Sequence, residues 1–141
     1  MHRSFLRVVK PTFDAALEAR GYRLIHAEES ESFGNGILIY QSDQLRIQVT
    51  RDRGQILLSF RGVGHLRDYD DEILQLLVDG TEHYQRREVN DFSVERRVAF
   101  LRRELGRIEA LFAPAVVDNT ARAGSRLQEE RANALFGPVE T

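Results

Sequence analysis

The chain has no cysteine. Disulfides, thiolate nucleophiles, zinc–thiolate sites and iron–sulfur clusters are therefore excluded as a basis for its stability or chemistry. It has no tryptophan, one methionine and three prolines. Lysine is almost absent: Lys10 stands alone, and every other basic residue is arginine. That bias is the one expected of GC-rich bacterial coding rather than of phosphate recognition. Charge of one sign is also missing, since the formal net charge is -2. A general nucleic-acid binder carries a strongly basic domain or face, so nucleic acid is not the expected partner. Long hydrophobic runs are missing too. No stretch approaches the roughly 18 uncharged apolar residues of a membrane span. Near the start, Arg7 and Lys10 interrupt the apolar run of Phe5, Leu6, Val8 and Val9, which is not the pattern of a signal peptide. A membrane partner is not expected, and the reading is of a soluble cytoplasmic protein.

What is present is ordinary for a globular fold. The 141 residues are 42% hydrophobic and 30% charged. That length fits one domain, 1–141, large enough to bury a core without a metal or cross-link.

The clearest local signal lies between Ile37 and Arg61. Ile37-Leu38-Ile39-Tyr40 is an apolar run, and Leu45 to Thr50 alternates strictly between apolar and polar residues. Asp52-Arg53-Gly54 breaks the pattern, and Ile56-Leu57-Leu58-Ser59-Phe60 resumes it. Strands of this length on short turns must run antiparallel, because a parallel pair needs a crossover. The expected strands are 22–27, 37–41, 45–51 and 55–61, in sequential order. In the first, Tyr22, Leu24 and His26 are expected on one face, with Arg23, Ile25 and Ala27 on the other.

Helical periodicity flanks this region. Phe5, Leu6, Val9, Phe13, Ala16 and Leu17 form one stripe, with Pro11 either kinking that helix or starting it. Asp68 is the expected cap of a short helix over 69–79. Ser93 or Asp91 should cap a long helix over 94–112. Its apolar residues, Val94, Val98, Leu101, Leu105, Ile108 and Phe112, follow heptad-like spacing. A last helix from Pro114 or Ala115 to Phe136, stopped at Gly137-Pro138, has a weak stripe of Val117, Thr120, Gly124, Leu127 and Ala134. The predicted fold is α+β: an N-terminal helix, a three- to four-stranded antiparallel meander, then a short helix and a C-terminal helical hairpin, packed on one face. Phe13, Leu17, Leu24, Ile47, Leu58, Phe60, Leu76, Leu101, Leu105 and Ile108 are the expected core.

Chemical motifs are sparse. His2, His26, His65 and His83 have no metal-ligand spacing, so no metal or cofactor is expected. Phe60 to His65 places glycines after a strand, but the phosphate-loop spacing is missing, and Asp68, Asp70, Asp71 and Glu72 would repel a phosphate. Glu28, Glu29 and Glu31, with Asp68 and Asp70, suit solvation and capping better than paired acid–base work. No serine lies in a nucleophile elbow. No catalytic residue is assigned.

Two surfaces remain. Arg46, Gln48, Thr50, Ser59 and Arg61 alternate with core residues and should project from the free face of the sheet, with Tyr40 nearby, as a protein-binding platform. The helical segment 91–136 is the second, a partner-binding or dimerisation element. Its last helix is too weakly apolar to cover the seam before it, so Leu127, Leu135 and Phe136 are the expected homodimer contacts.

Ser32-Phe33-Gly34-Asn35, the strand Ile37 to Tyr40 and the hairpin Arg51 to Gln55 resemble elements of small bacterial α+β proteins of the polymorphic-toxin immunity type. The similarity covers residues 5–79 and brings no active-site residue. It implies a non-catalytic inhibitor that binds a toxin. The alternative is a small enzyme or ligand-binding protein with a pocket between sheet and helices.

Overall fold

The computed structural model describes residues 4–30, 34–87 and 92–137. Glu31, Ser32 and Phe33, the alternative cap Asp91, Pro138 and His2 lie outside the described residues.

The N-terminal helix is two pieces, α1 (Phe5–Val8) and α2 (Lys10–Glu18). Val9 ends the first and caps the second. Pro11 therefore falls in the first turn of α2, where its missing N–H leaves no bond unmade. Gly21, with φ 87°, turns the chain into β1 (Arg23–Glu29).

β1 is followed by β2 (Gly36–Gln41), β3 (Leu45–Asp52), β4 (Gln55–Gly62) and β5 (Tyr69–Asp70). They form one five-stranded sheet in the order β1-β2-β3-β4-β5, antiparallel throughout. The β3–β4 hairpin turns on Arg53 (φ 51°) and Gly54 (φ 82°). Positive φ at both central residues matches the twist of the flanking strands. The Asn35 carboxamide accepts from the Arg53 N–H at 2.9 Å and steadies that unusual arginine.

A bulge between Leu24 and His26 corrects the alternation expected of β1. One extra residue, Ile25, shifts everything after it to the opposite face. His26 therefore joins Arg23, while Ala27 pairs with Leu38 on the core side. Leu24, expected in the core, is half-buried.

β5 was not expected. The helix predicted over 69–79 is instead a two-residue strand followed by α3 (Asp71–Val78). Tyr69 pairs with Phe60, and Asp70 rather than Asp68 caps the helix, its carboxylate accepting from the Ile73 N–H at 3.0 Å. Strand pairing with distant Phe60 outweighed the local helical pattern of this stretch.

α4 (Val94–Leu111) starts at Ser93, whose hydroxyl accepts from the Arg96 N–H at 3.3 Å. Its apolar seam is buried at Val98, Leu101, Leu105 and Ile108. The seam is filled from within the chain, because α4 lies against α2, α3 and β4. α5 (Val117–Phe136) lies against α3. Thr120, Gly124 and Leu127 are buried there, whereas Ala134 is exposed. A Cβ on Gly124 would strike the Tyr69 ring. The glycine gives up about 1 kcal/mol of helix propensity and gains close packing of an aromatic.

The core lies between these helices and one face of the sheet. Leu38, Tyr40, Leu45, Ile47, Val49, Ile56, Leu58 and Phe60 all point into it. A buried ion pair crosses its margin. The Arg97 guanidinium bonds the Asp71 carboxylate and donates to the Ile56 carbonyl at 3.0 Å.

Candidate interaction face

Among the described residues, no helix covers the second face of the sheet, whose side chains are half-buried to exposed. Pairing register places its side chains in three rows that run across the strands. Arg23, Gln41, Arg46 and Arg61 form the first row, on four successive strands. His26, Ile39, Gln48 and Ser59 form the second, ending at Asp70 on β5. Glu28, Ile37, Thr50 and Leu57 form the third. The face is therefore basic at one end and mixed at the other, where Ile37 and Leu57 stand with Glu28 and Thr50.

The five residues expected on this face are there together. Arg46, Gln48, Thr50, Ser59 and Arg61 are all half-exposed. Arg46 donates through Nε and Nη2 to the side-chain Oε1 of Gln41, at 3.0 and 2.9 Å. Arg46 sits directly opposite Arg61, a like-charge pairing that costs stability. The nearest anion to Arg61 is Asp68 at 3.9 Å, an exposed pair of little strength. Gln48 donates to the Thr50 hydroxyl at 3.2 Å. Arg23 is exposed, and its side chain makes no hydrogen bond or ion pair among the described residues.

Tyr40 does not belong to the platform. It points into the core, fully buried, and its hydroxyl donates to Asp14 at 2.6 Å. Burial, then that carboxylate, pushes its pKa well above the usual phenol value.

Register also adds residues that alternation within single strands had not assigned to the platform. Arg23 and Gln41 extend the basic row, and Ile37, Ile39 and Leu57 supply apolar contact area. Cross-strand partners were the missing information: Ile37-Leu38-Ile39-Tyr40 reads as one apolar run until pairing separates its two faces.

Compared with family models, curated proteins and solved structures, the chain matches none.

The remaining candidates have structural roles. Glu29 accepts from the Ser4 hydroxyl at 2.8 Å and from the Phe5 N–H, so it ties α1 to the sheet. Those bonds, the serine first, hold its carboxyl below the ordinary range. Asp70 caps α3 and pairs with Arg131 at 2.7 Å. Glu28 is 2.9 Å from His26. The glycines after β4 are separated from α3 by β5, so no phosphate cradle forms at that helix. Among the described residues, no three histidine, aspartate or glutamate side chains gather as metal ligands.

Of the expected dimer contacts, Leu127 is corrected. It is fully buried within its own chain and unavailable to a partner. Leu135 and Phe136 are 63% and 86% exposed at the end of α5.

Proposed function

We propose that this chain is a non-catalytic protein-binding module whose interface is the helix-free face of the sheet. The observation that carries the reading is the row Arg23, Gln41, Arg46 and Arg61 beside Ile37, Ile39 and Leu57. Arginine forks with adjacent aliphatic area suit a protein surface bearing carboxylates. A single-stranded nucleic acid would stack its bases on aromatic rings, and neither phenylalanine nor tyrosine stands in these rows. Opposed Arg46 and Arg61 cost stability in the free chain, and an acidic partner would offset that cost.

The finer reading is an immunity-type inhibitor that masks a bacterial toxin in the cytoplasm. It draws on the resemblance over residues 5–79. Co-expression with a toxin encoded beside its gene tests it: growth returns with the native chain and not with Arg46→Ala/Arg61→Ala. The same double variant should retain at least about tenfold less of a native partner while its thermal unfolding temperature is held or slightly raised, since the like-charge pair is gone. Full retention would move the interface elsewhere.

Self-association is the second reading, carried by the exposure of Leu135 and Phe136. Light scattering on the full chain should then give a dimer mass at high micromolar concentration, and a monomer mass for Leu135→Ser/Phe136→Ser. A monomeric full chain ends this reading.

A further inference from the structure

A cleft of about 350 Å³ opens between the β4–β5 connection and the start of α5. Its lining combines a nearly buried tyrosine and two basic side chains with apolar ones.

Tyr69 lines the cleft and is only 4% exposed. Its ring is held between Gly124 and Phe112, with the Phe112 ring centroid at 6.1 Å. Its hydroxyl has no hydrogen-bond partner among the described residues. Yet no fully buried side-chain oxygen or nitrogen there is unsatisfied, so the hydroxyl still meets solvent. A nearly buried tyrosine normally spends its hydroxyl on a protein acceptor, as Tyr22 and Tyr40 do here on Glu109 and Asp14.

The rest of the wall supplies positive charge and apolar area. His65 folds back by a turn in which its N–H donates to the Gly62 carbonyl at 3.0 Å. A Cβ on Gly62 would meet the His65 ring at 2.9 Å and Phe112 at 3.1 Å, so the glycine lets both rings close on the cleft. Arg67 adds a cation, held at one nitrogen by Gln128 at 2.6 Å. No side chain caps the N-terminus of α5, whose positive dipole end adds to the same potential. Phe112, Val117 and Leu66 line the same cleft and give it apolar area, and Leu66 is 94% exposed.

We propose that this cleft binds a small monocarboxylic acid with an apolar body. The carboxylate accepts from the Tyr69 hydroxyl, and the apolar body lies along Phe112, Val117 and Leu66. Burial raises the Tyr69 phenol above its usual pKa, against the opposing pull of Arg67, so it stays a protonated donor at neutral pH. One hydrogen bond to a charged acceptor is worth about 1.5–3 kcal/mol, roughly tenfold or more in affinity.

Nuclear magnetic resonance titration of the full chain with hexanoate tests the site. Hexanoate should shift the Leu66 and Val117 methyl signals saturably at millimolar concentration. Hexanamide, which has the same body without the charge, should bind about tenfold more weakly. Tyr69→Phe should lose a similar factor for hexanoate and narrow the preference over hexanamide to what Arg67 and the α5 N-terminus supply. Leu66→Ser, at a side chain that supports no packing, should weaken hexanoate and keep that preference. The proposal is overturned by the absence of saturable shifts, by an unchanged affinity in Tyr69→Phe, or by equal binding of the amide. Displacement of hexanoate by inorganic phosphate would reduce the cleft to a plain anion site and overturn it equally.

Discussion

Arg97→Ala is expected to destabilise the protein by about 3–5 kcal/mol, the penalty for stranding one partner of a buried ion pair. Arg97 is 5% exposed and joins three elements at once. It bonds Asp71 at the start of α3, donates to Ile56 on β4, and its guanidinium stands 4.7 Å over the Phe92 ring. Removing it strands the Asp71 carboxyl, which burial already holds above its ordinary pKa against the opposing effect of Arg97. The pH dependence follows from that direction. In the variant the folded carboxyl binds a proton more readily than the unfolded one, so folding takes a proton up. Stability then falls as pH rises from the ordinary carboxylate range through the raised folded value, and the penalty shrinks in acid. Urea midpoints across that range measure this. Arg97→Met/Asp71→Leu should regain much of the loss, because an apolar pair of similar bulk leaves no charge uncompensated. A midpoint unchanged in Arg97→Ala at neutral pH would mean that the pair contributes nothing to stability.

Phe60→Ala should cost a comparable amount, about 3–5 kcal/mol. Phe60 is fully buried at the centre of the sheet, paired with Ile47 on one side and Tyr69 on the other. Its ring meets Phe100 of α4 edge-on, with centroids 6.4 Å apart. The substitution removes the bulk that fixes β5 and α4 against β4, and a rigid surround leaves a cavity rather than closing it. Leu58→Ala and Leu105→Ala should lose about 2–5 kcal/mol by the same mechanism. Leu57 is the control: it is adjacent to Leu58 but 40% exposed on the opposite face. Leu57→Ala should stay within about 0.5 kcal/mol. If denaturant unfolding gave Leu57→Ala and Phe60→Ala equal losses, the facial assignment of β4 would be wrong.

That facial assignment was legible in the sequence because each β3 or β4 residue lies on one side of a pleat. Alternation of Leu45, Ile47 and Val49 with Arg46, Gln48 and Thr50 is enough to sort them, whatever the strands pair with. The same logic found the buried stripe of α4 and narrowed its cap to Ser93 or Asp91, of which the structure has Ser93; both are local matters of helical period and a short polar side chain. It failed where a distant residue decided the outcome. The β1 bulge, which sends His26 to the helix-free face, depends on how Leu24 and His26 meet Tyr40 and Ile39. β5 exists because Tyr69 pairs with Phe60, nine positions away, in a stretch whose own pattern is helical.

The sequence by itself determined the class of fold, the order of the first four strands, the side on which Arg46 and Arg61 project, and the lack of cysteine chemistry. Period, turn residues and composition act over a few neighbours, and these conclusions need no more. Only the tertiary structure decided that Arg23 and Gln41 stand in line with Arg46 and Arg61, that Arg97 lies inside on Asp71, and that Leu127 faces inward. It also brought Tyr69 under Gly124 beside an open cleft. Each of these depends on register between strands or on which helix lies over which face. Register and packing are set by summed burial across the whole core, a quantity that no single segment carries.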